Sequence, residues 1–300
     1  MLTVLLGLSG AMVLGAGDFM GGIAAKRIGA LRVTAIMSVV GLIGALILGL
    51  IFHSVWTLPA ILWGAASGIA GSLSVALLYG CLAIGPMSVL SPLTALVGAL
   101  VPMTWGLTHG ESLKPFGYLA LGLALVAILL VGVVPTESGV RATPRGILMA
   151  VASGTLAGVF LITLNFAPHS SGLVPVVLNR AVSATVILTV LAVLTGMNRF
   201  GKTPNRSNAS DDPQRIAALI VRPRTALIFA CACGVADTTG AALILAGLRV
   251  GDLSVMGVLG ALYPVGTIAL AALVLKEHIS KVQGIGLVFA LSAAALLGLA

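Results

Sequence analysis

Charged side chains are scarce in this sequence. They make up 8% of its 300 residues, against about 25% in a soluble domain. Apolar residues make up 59%, and the mean hydropathy is +1.18. The polar surface is too small to cover a water-exposed protein, so a soluble globular fold is excluded. Aromatic residues are also few, at 5%, which argues against a large aromatic drug pocket. The three cysteines, Cys81, Cys231 and Cys233, offer no metal-ligand spacing. Cys231 and Cys233 point in different directions on a helix and read as small apolar residues. There is no HExxH, no phosphate-cradling glycine loop and no nucleophile elbow, so no cofactor, metal or catalytic residue is expected. The first apolar segment lacks a basic leader region, and no cleavable signal is expected. Glycine, by contrast, is abundant at 38 residues, and small side chains let membrane helices approach closely.

A membrane-spanning helix needs about 20 apolar residues. Ten such runs are present, at 2–24, 33–52, 58–79, 87–108, 115–134, 146–167, 173–196, 225–247, 254–275 and 281–299. Lipid-facing backbone must satisfy its own hydrogen bonds, and no alternating ten-residue strand pattern appears, so the runs are read as helices. Most connections are short. The exception is the polar, basic segment 197–224.

The chain repeats itself. The stretch Gly251 to Glu277 pairs with Gly85 to Glu111 at a single offset of 166 residues, matching Gly85 with Gly251, Ser88 with Ser254, Val89 with Val255 and Ala95 with Ala261. Ser9-Gly10 matches Ser153-Gly154 at an offset of 144. The growth in offset places an insertion at the long loop. The expected fold is an all-α membrane protein of ten transmembrane helices in two five-helix repeats, 1–135 and 145–300. Five is odd, so the second repeat is expected upside down relative to the first, the inverted-repeat plan of secondary transporters.

This five-helix unit has a small-residue-rich third helix, a G-P/D-x-S-V entry to the fourth (Gly85-Pro86-Met87-Ser88-Val89 and Gly251-Asp252-Leu253-Ser254-Val255), and a Glu just before the fifth. It resembles the EamA-type transporters of the drug/metabolite transporter superfamily. The first helix departs from that pattern, reading GAGDFMGG where relatives often carry an aromatic-Gly pair. The resemblance implies a small-metabolite carrier, often an exporter, with a central cavity between the halves and both termini inside.

Charge distribution favours the opposite orientation. The odd-numbered loops hold Lys26, Arg27, Arg32, Arg141, Arg145, Arg199, Lys202, Arg206, Arg215, Arg222, Arg224, Lys276 and Lys281; the even-numbered ones hold Lys114 and Arg249. The positive-inside rule then puts both termini outside a plasma (inner) membrane. The net charge of +8 reads as orientation rather than nucleic-acid binding.

Polar residues inside apolar runs are the candidate site, because a charge at mid-membrane costs about 2.5–3.5 kcal/mol on insertion scales. Asp237, in CGVADTTG of helix eight, is the first candidate. The neutral form of a carboxyl is favoured away from water, so such a group can exchange protons or hold a substrate ammonium. The alternative is a permanent ion pair with Arg180 that only fixes packing. Arg180 stays charged and must pair with Asp237, Asp18 or an anionic substrate group. Asn179 is adjacent but points to another face. Asp18, Asn165 and Tyr263 complete the candidate set for substrate or proton binding. Thr238 and Thr239 are expected to bond one turn back along their own helix. Glu111 and Glu277 lie at helix ends and are expected to cap the helix that follows each, or to gate. Pro92, Pro102 and Pro264 are expected to interrupt helices four and nine. The function expected is proton-coupled efflux of a small organic metabolite or drug within a lipid bilayer, with a homodimer compatible. The alternatives are uptake or facilitated diffusion of a sugar-like solute, and, from other classes, a channel or an intramembrane enzyme.

Overall fold

The computed structural model describes residues 1–84, 87–132, 143–200, 223–274 and 280–299. Among these residues the chain is helical and has no strand. The helices are α1 (Leu2–Ile28), α2 (Ala30–Ile51), α3 (Leu58–Ile84), α4 (Met87–Thr108), α5 (Pro115–Gly132), α6 (Pro144–Asn165), α7 (Val174–Phe200), α8 (Pro223–Val250), α9 (Leu253–Gly260), α10 (Tyr263–Val274) and α11 (Lys281–Leu299). A short 3-10 turn, His169–Ser171, precedes α7. Seven stretches are long and apolar enough to cross a membrane, one of them running through both α9 and α10; α5, α11 and the Leu93–Thr108 part of α4 are shorter apolar helices. The protein is a multi-pass membrane protein.

Local chemistry sets the boundaries. Gly29 alone separates α1 from α2, and its φ of 86° suits a residue without a Cβ. At the start of α6, Thr143 accepts a hydrogen bond from the Gly146 N–H at 3.1 Å, and Pro144 fills the first position, where a missing N–H costs nothing. Two expectations need correction, the end of the seventh helix and the interruption of the fourth, while the ninth breaks as expected. The seventh helix runs on to Phe200, into the predicted loop, of which 201–222 lie outside the described residues. The ninth is broken at Ala261 and Leu262, just before Pro264, which has no N–H to return to the preceding turn. Helix α4 behaves differently and continues through both Pro92 and Pro102. Pro102 is buried as a wedge, since a Cβ on Gly257 of α9 would lie 2.4 Å from its Cγ.

Helix crossings are made at small residues, as membrane packing requires. Gly17 and Gly21 of α1 lie on Ala236 and Cys233 of α8; Gly64 and Gly68 of α3 lie on Pro175 and Asn179 of α7; Gly154 and Gly158 of α6 lie on Val97 and Val101 of α4. The crossings repeat as the sequence does. Helices α1 and α8 meet where the Gly10 and Gly240 backbones touch. Helices α6 and α3 meet where the Ser153 and Ser74 hydroxyls each donate to the other's carbonyl, at 2.7 and 2.8 Å. Ser74 precedes Gly240 by 166 residues, and Ser153 follows Gly10 by 143. These offsets match the sequence duplication to within one residue.

The core is unevenly distributed. One large cluster joins Val4, Ala99, Leu121, Val258, Leu259 and Ala293; another joins Ala45, Leu161, Val176, Leu245, Leu253 and Met256. Towards the other ends of the same helices, two small, separate clusters are found among the described residues. One is Ala24, Val33 and Ala230; the other is Cys81, Leu90 and Ala150. The large clusters join helices towards the face bearing Met1, Ser54, Glu111 and Asp252, here termed the terminal face. Towards the opposite face, the two small clusters join an α1–α2–α8 group and an α3–α4–α6 group.

Candidate functional site

Exposure along α1 and α6 changes from one end of each helix to the other. Positions 4, 7, 11, 15, 18 and 22 share one face of α1. Val4, Gly7, Ala11 and Gly15 are buried, whereas Asp18 and Gly22 are exposed. The duplicate positions on α6, at the offset of 144, are 148, 151, 155, 159 and 162. There Leu148, Val151 and Thr155 are exposed, Val159 is half-buried and Ile162 is buried. Since α6 starts at the opposite face and α1 ends there, both helices expose the same inner stripe towards that face. Asp18 is the first exposed residue of this stripe on α1.

Arg180 and Asp237 form an ion pair between α7 and α8, through Nη1 and Oδ2. Arg180 Nη2 also donates to the Asp237 carbonyl at 3.2 Å. The side chains are 13% and 22% exposed. The Arg180 stem passes over Gly41 of α2, where a Cβ would lie 3.7 Å from its Cδ. Arg180 Nε is buried without a partner. Asp18 is close enough to Asp237 for their charges to interact, since the adjacent Gly17 packs on the Asp237 N–H. The charged residues picked from the sequence thus comprise a paired Arg–Asp and a second, exposed carboxylate whose charge acts on that Asp.

The other candidates divide. Asn179 faces away from Arg180 and donates to Ser67 Oγ of α3 at 3.3 Å. It is 5% exposed and serves helix packing. Asn165 ends α6, half-buried, away from the charged group and beside Phe166, which packs on Trp63 and Trp105. Tyr263 and Pro264 open α10, where the Tyr263 carbonyl lies against Gly15 and Thr267 Oγ1 donates to the Gly15 carbonyl at 3.1 Å. Pro92 sits in α4, and the surroundings of its side chain lie outside the described residues, as does Glu277 altogether. Two expectations are corrected. Thr239 bonds one turn back to Val235 O at 2.8 Å, but Thr238 donates across to Gly41 O of α2 at 2.9 Å. Gly41 has no side chain to keep the two backbones apart. Glu111 does not cap α5, the helix that follows it. It caps α9, accepting the Leu253 and Ser254 N–H groups at 2.7 and 2.9 Å. Sequence reasoning had no route to Ser67 or to this cap, because both depend on which helices become neighbours. Among the described residues, no cluster of three His, Cys, Asp or Glu could hold a metal ion.

Residues 144–299 match the EamA-like transporter family. No curated protein matches the chain. Among solved structures it is similar to one described only as "Crystal structure of protein", with 18% identity and a TM-score of 0.66, over 99% of this chain and 96% of that one. At that identity the likeness speaks for the fold alone.

Proposed function

We propose that this chain, which belongs to the EamA-like transporter family, is a secondary active transporter exporting a small organic solute in exchange for protons. The carrying observation is Asp18 itself, an exposed carboxylate part-way along a spanning helix whose charge acts on a second carboxylate already paired with Arg180; we infer that it lines a crevice between the two helix groups. With Asp18 ionised, its charge opposes that of Asp237 beside the Arg180–Asp237 pair. With Asp18 protonated, that repulsion is gone. Uptake and release of that proton therefore changes the charge balance between α1, α7 and α8, which is what coupling requires. Asp18 takes the proton-carrying role first assigned to Asp237, and Asp237 becomes its partner.

The repeated crossings at Gly10/Gly240 and Ser153/Ser74 support two halves related by an axis in the membrane plane. Rocking one group of helices against the other would close this crevice and open the terminal face. The excess of Lys and Arg at the opposite face supports placing it in the cytoplasm. The inferred crevice is then the cytoplasmic loading state, in the plasma membrane, with both termini outside. A channel is disfavoured because the terminal face is packed with core residues.

The test is flux in reconstituted vesicles. A panel of small amines, acids and sugars is offered with and without a proton gradient, to wild type and to Asp18→Asn and Asp237→Asn. Saturable, gradient-driven flux that loses its proton dependence in Asp18→Asn is the expected result. Undiminished proton dependence in both variants would refute the coupling.

A further inference from the structure

On the terminal face the two helix groups are tied by polar contacts. Arg249, at the end of α8, donates from Nη2 to the Gly172 carbonyl after α6. The Leu173 N–H donates to Ser54 Oγ at 2.8 Å. The tie made by Glu111 differs in kind. It joins the turn after α4 to the first turn of α9 through two hydrogen bonds to a carboxylate. The first N–H groups of a helix lack partners within it. Asp252 occupies the N-cap of α9 but makes no side-chain cap bond, so Glu111, more than a hundred residues away in sequence, supplies the acceptor. A carboxylate there also sits at the positive end of the helix. Leu253 and Ser254 are 2% and 0% exposed.

The seat for this carboxylate is built. A Cβ on Gly106 would fall 2.1 Å from Glu111 Oε2, so only glycine at 106 leaves room. The Glu111 N–H donates to the Gly106 carbonyl at 3.1 Å and fixes the turn. Helix α9 in turn carries Met256, Val258 and Leu259 into the two large core clusters. Moving α9 away from α4 would strip both buried amides and the carboxylate of their partners together. In this conformation the contact holds the turn after α4 to the start of α9 at the terminal face.

We propose that Glu111 is the latch of the terminal face, and that its release from the Leu253 and Ser254 amides gates the state open on that side. The proposal rests on the alternating-access reading above. The test places spin labels at Leu2→Cys on α1 and Ser170→Cys after α6, both exposed, after replacing Cys81, Cys231 and Cys233 with Ala. Distances are measured in lipid. The background protein should give one distance. Glu111→Gln loses the charge and one of the two acceptors, and should add a longer distance whose population rises roughly tenfold. Gly106→Val evicts the carboxylate without removing it and should do the same. If both variants keep the background distance while the unsubstituted protein transports solute, the latch is wrong and the transporter reading stands. If no solute moves under any gradient, yet both variants open, the latch stands and the transporter reading fails.

Discussion

Removing the Asp237 carboxylate while keeping its shape, as Asp237→Asn, leaves Arg180 as a cation that is 13% exposed. Breaking a buried pair from one side costs about 3–5 kcal/mol. Two features of this site put the cost at the lower end. Arg180 Nη2 keeps its bond to the backbone carbonyl of residue 237, and the Arg180 side chain is not fully buried. We therefore expect a loss of about 3 kcal/mol. Arg180→Met should cost more, about 5 kcal/mol, because it leaves two carboxylates facing one another without a cation. The double variant Arg180→Met with Asp237→Asn removes both charges and should lie within about 1–2 kcal/mol of wild type. At about 2–4 °C per kcal/mol, Asp237→Asn should melt roughly 6–12 °C below wild type, and the double variant should recover most of that. The assay is thermal unfolding in detergent, followed by the fluorescence of Trp56, Trp63 and Trp105. Single variants that melt with wild type, or a double variant as unstable as the two losses summed, would show that the pair is not an energetic unit.

Gly15→Val should disable the crossing of α1 with α10. A Cβ there would lie 2.4 Å from the Tyr263 carbonyl oxygen and 2.7 Å from the Thr267 nitrogen; backbone cannot step aside as a side chain can, so a loss of about 3 kcal/mol or more is expected in melting. Asp252→Asn should help. Burial, and secondarily the Glu111 carboxylate, raises the Asp252 carboxyl above its ordinary range. The folded state then binds that proton more tightly than the unfolded state, so stability falls as pH rises above about 4 and through the raised native value. The Asn variant should melt like wild type in acid and slightly higher at pH 7, by less than about 1 kcal/mol because the site is open to water. Gly71→Asp puts a carboxylate at the repeat position of Asp237, where a Cβ would lie 3.6 Å from Phe160 and 3.9 Å from Asn179 Nδ2. With no arginine facing it, insertion should suffer by about 2.5–3.5 kcal/mol, read as lost expression in the membrane; expression equal to wild type would count against the local environment inferred here.

The spans were legible because their signal is one-dimensional: twenty apolar residues are a spanning helix wherever the neighbours lie. The break in helix nine was legible for a related reason, since Pro264 denies an N–H to the turn before it. Pro102 carries the same local signal and breaks nothing, because its setting is decided by Gly257 and Gly158, distant in sequence. Glu111 shows the same limit. A carboxylate before a helix reads as a cap for that helix, yet the chain folds α9 onto it instead. The charged site was half legible. Three ionisable residues in apolar runs had to find one another or a substrate, and they did converge. Which carboxylate would hold the arginine and which would stay open depended on how far α1 remains packed towards the opposite face, and that is a property of the assembled bundle.

The division of labour between repeat and departure from repeat follows from these positions. Gly10/Gly240 and Ser74/Ser153 lie at matching places and do the same work, bringing two helices to close approach. A motion at one crossing therefore has a counterpart at the other. The charges have no such counterparts. Asp237 repeats Gly71, and Asp18 repeats Ile162, which is 8% exposed and part of the core. Had the acidic pair been duplicated, each conformation would present a similar charged group to its own side, and binding a proton would not distinguish them. The carboxylates inside spanning helices thus stand on α1 and α8 and have no partners in the repeat. On the transporter reading proposed above, that asymmetry of charge on a repeated scaffold is what would let a proton bias the motion of the two halves.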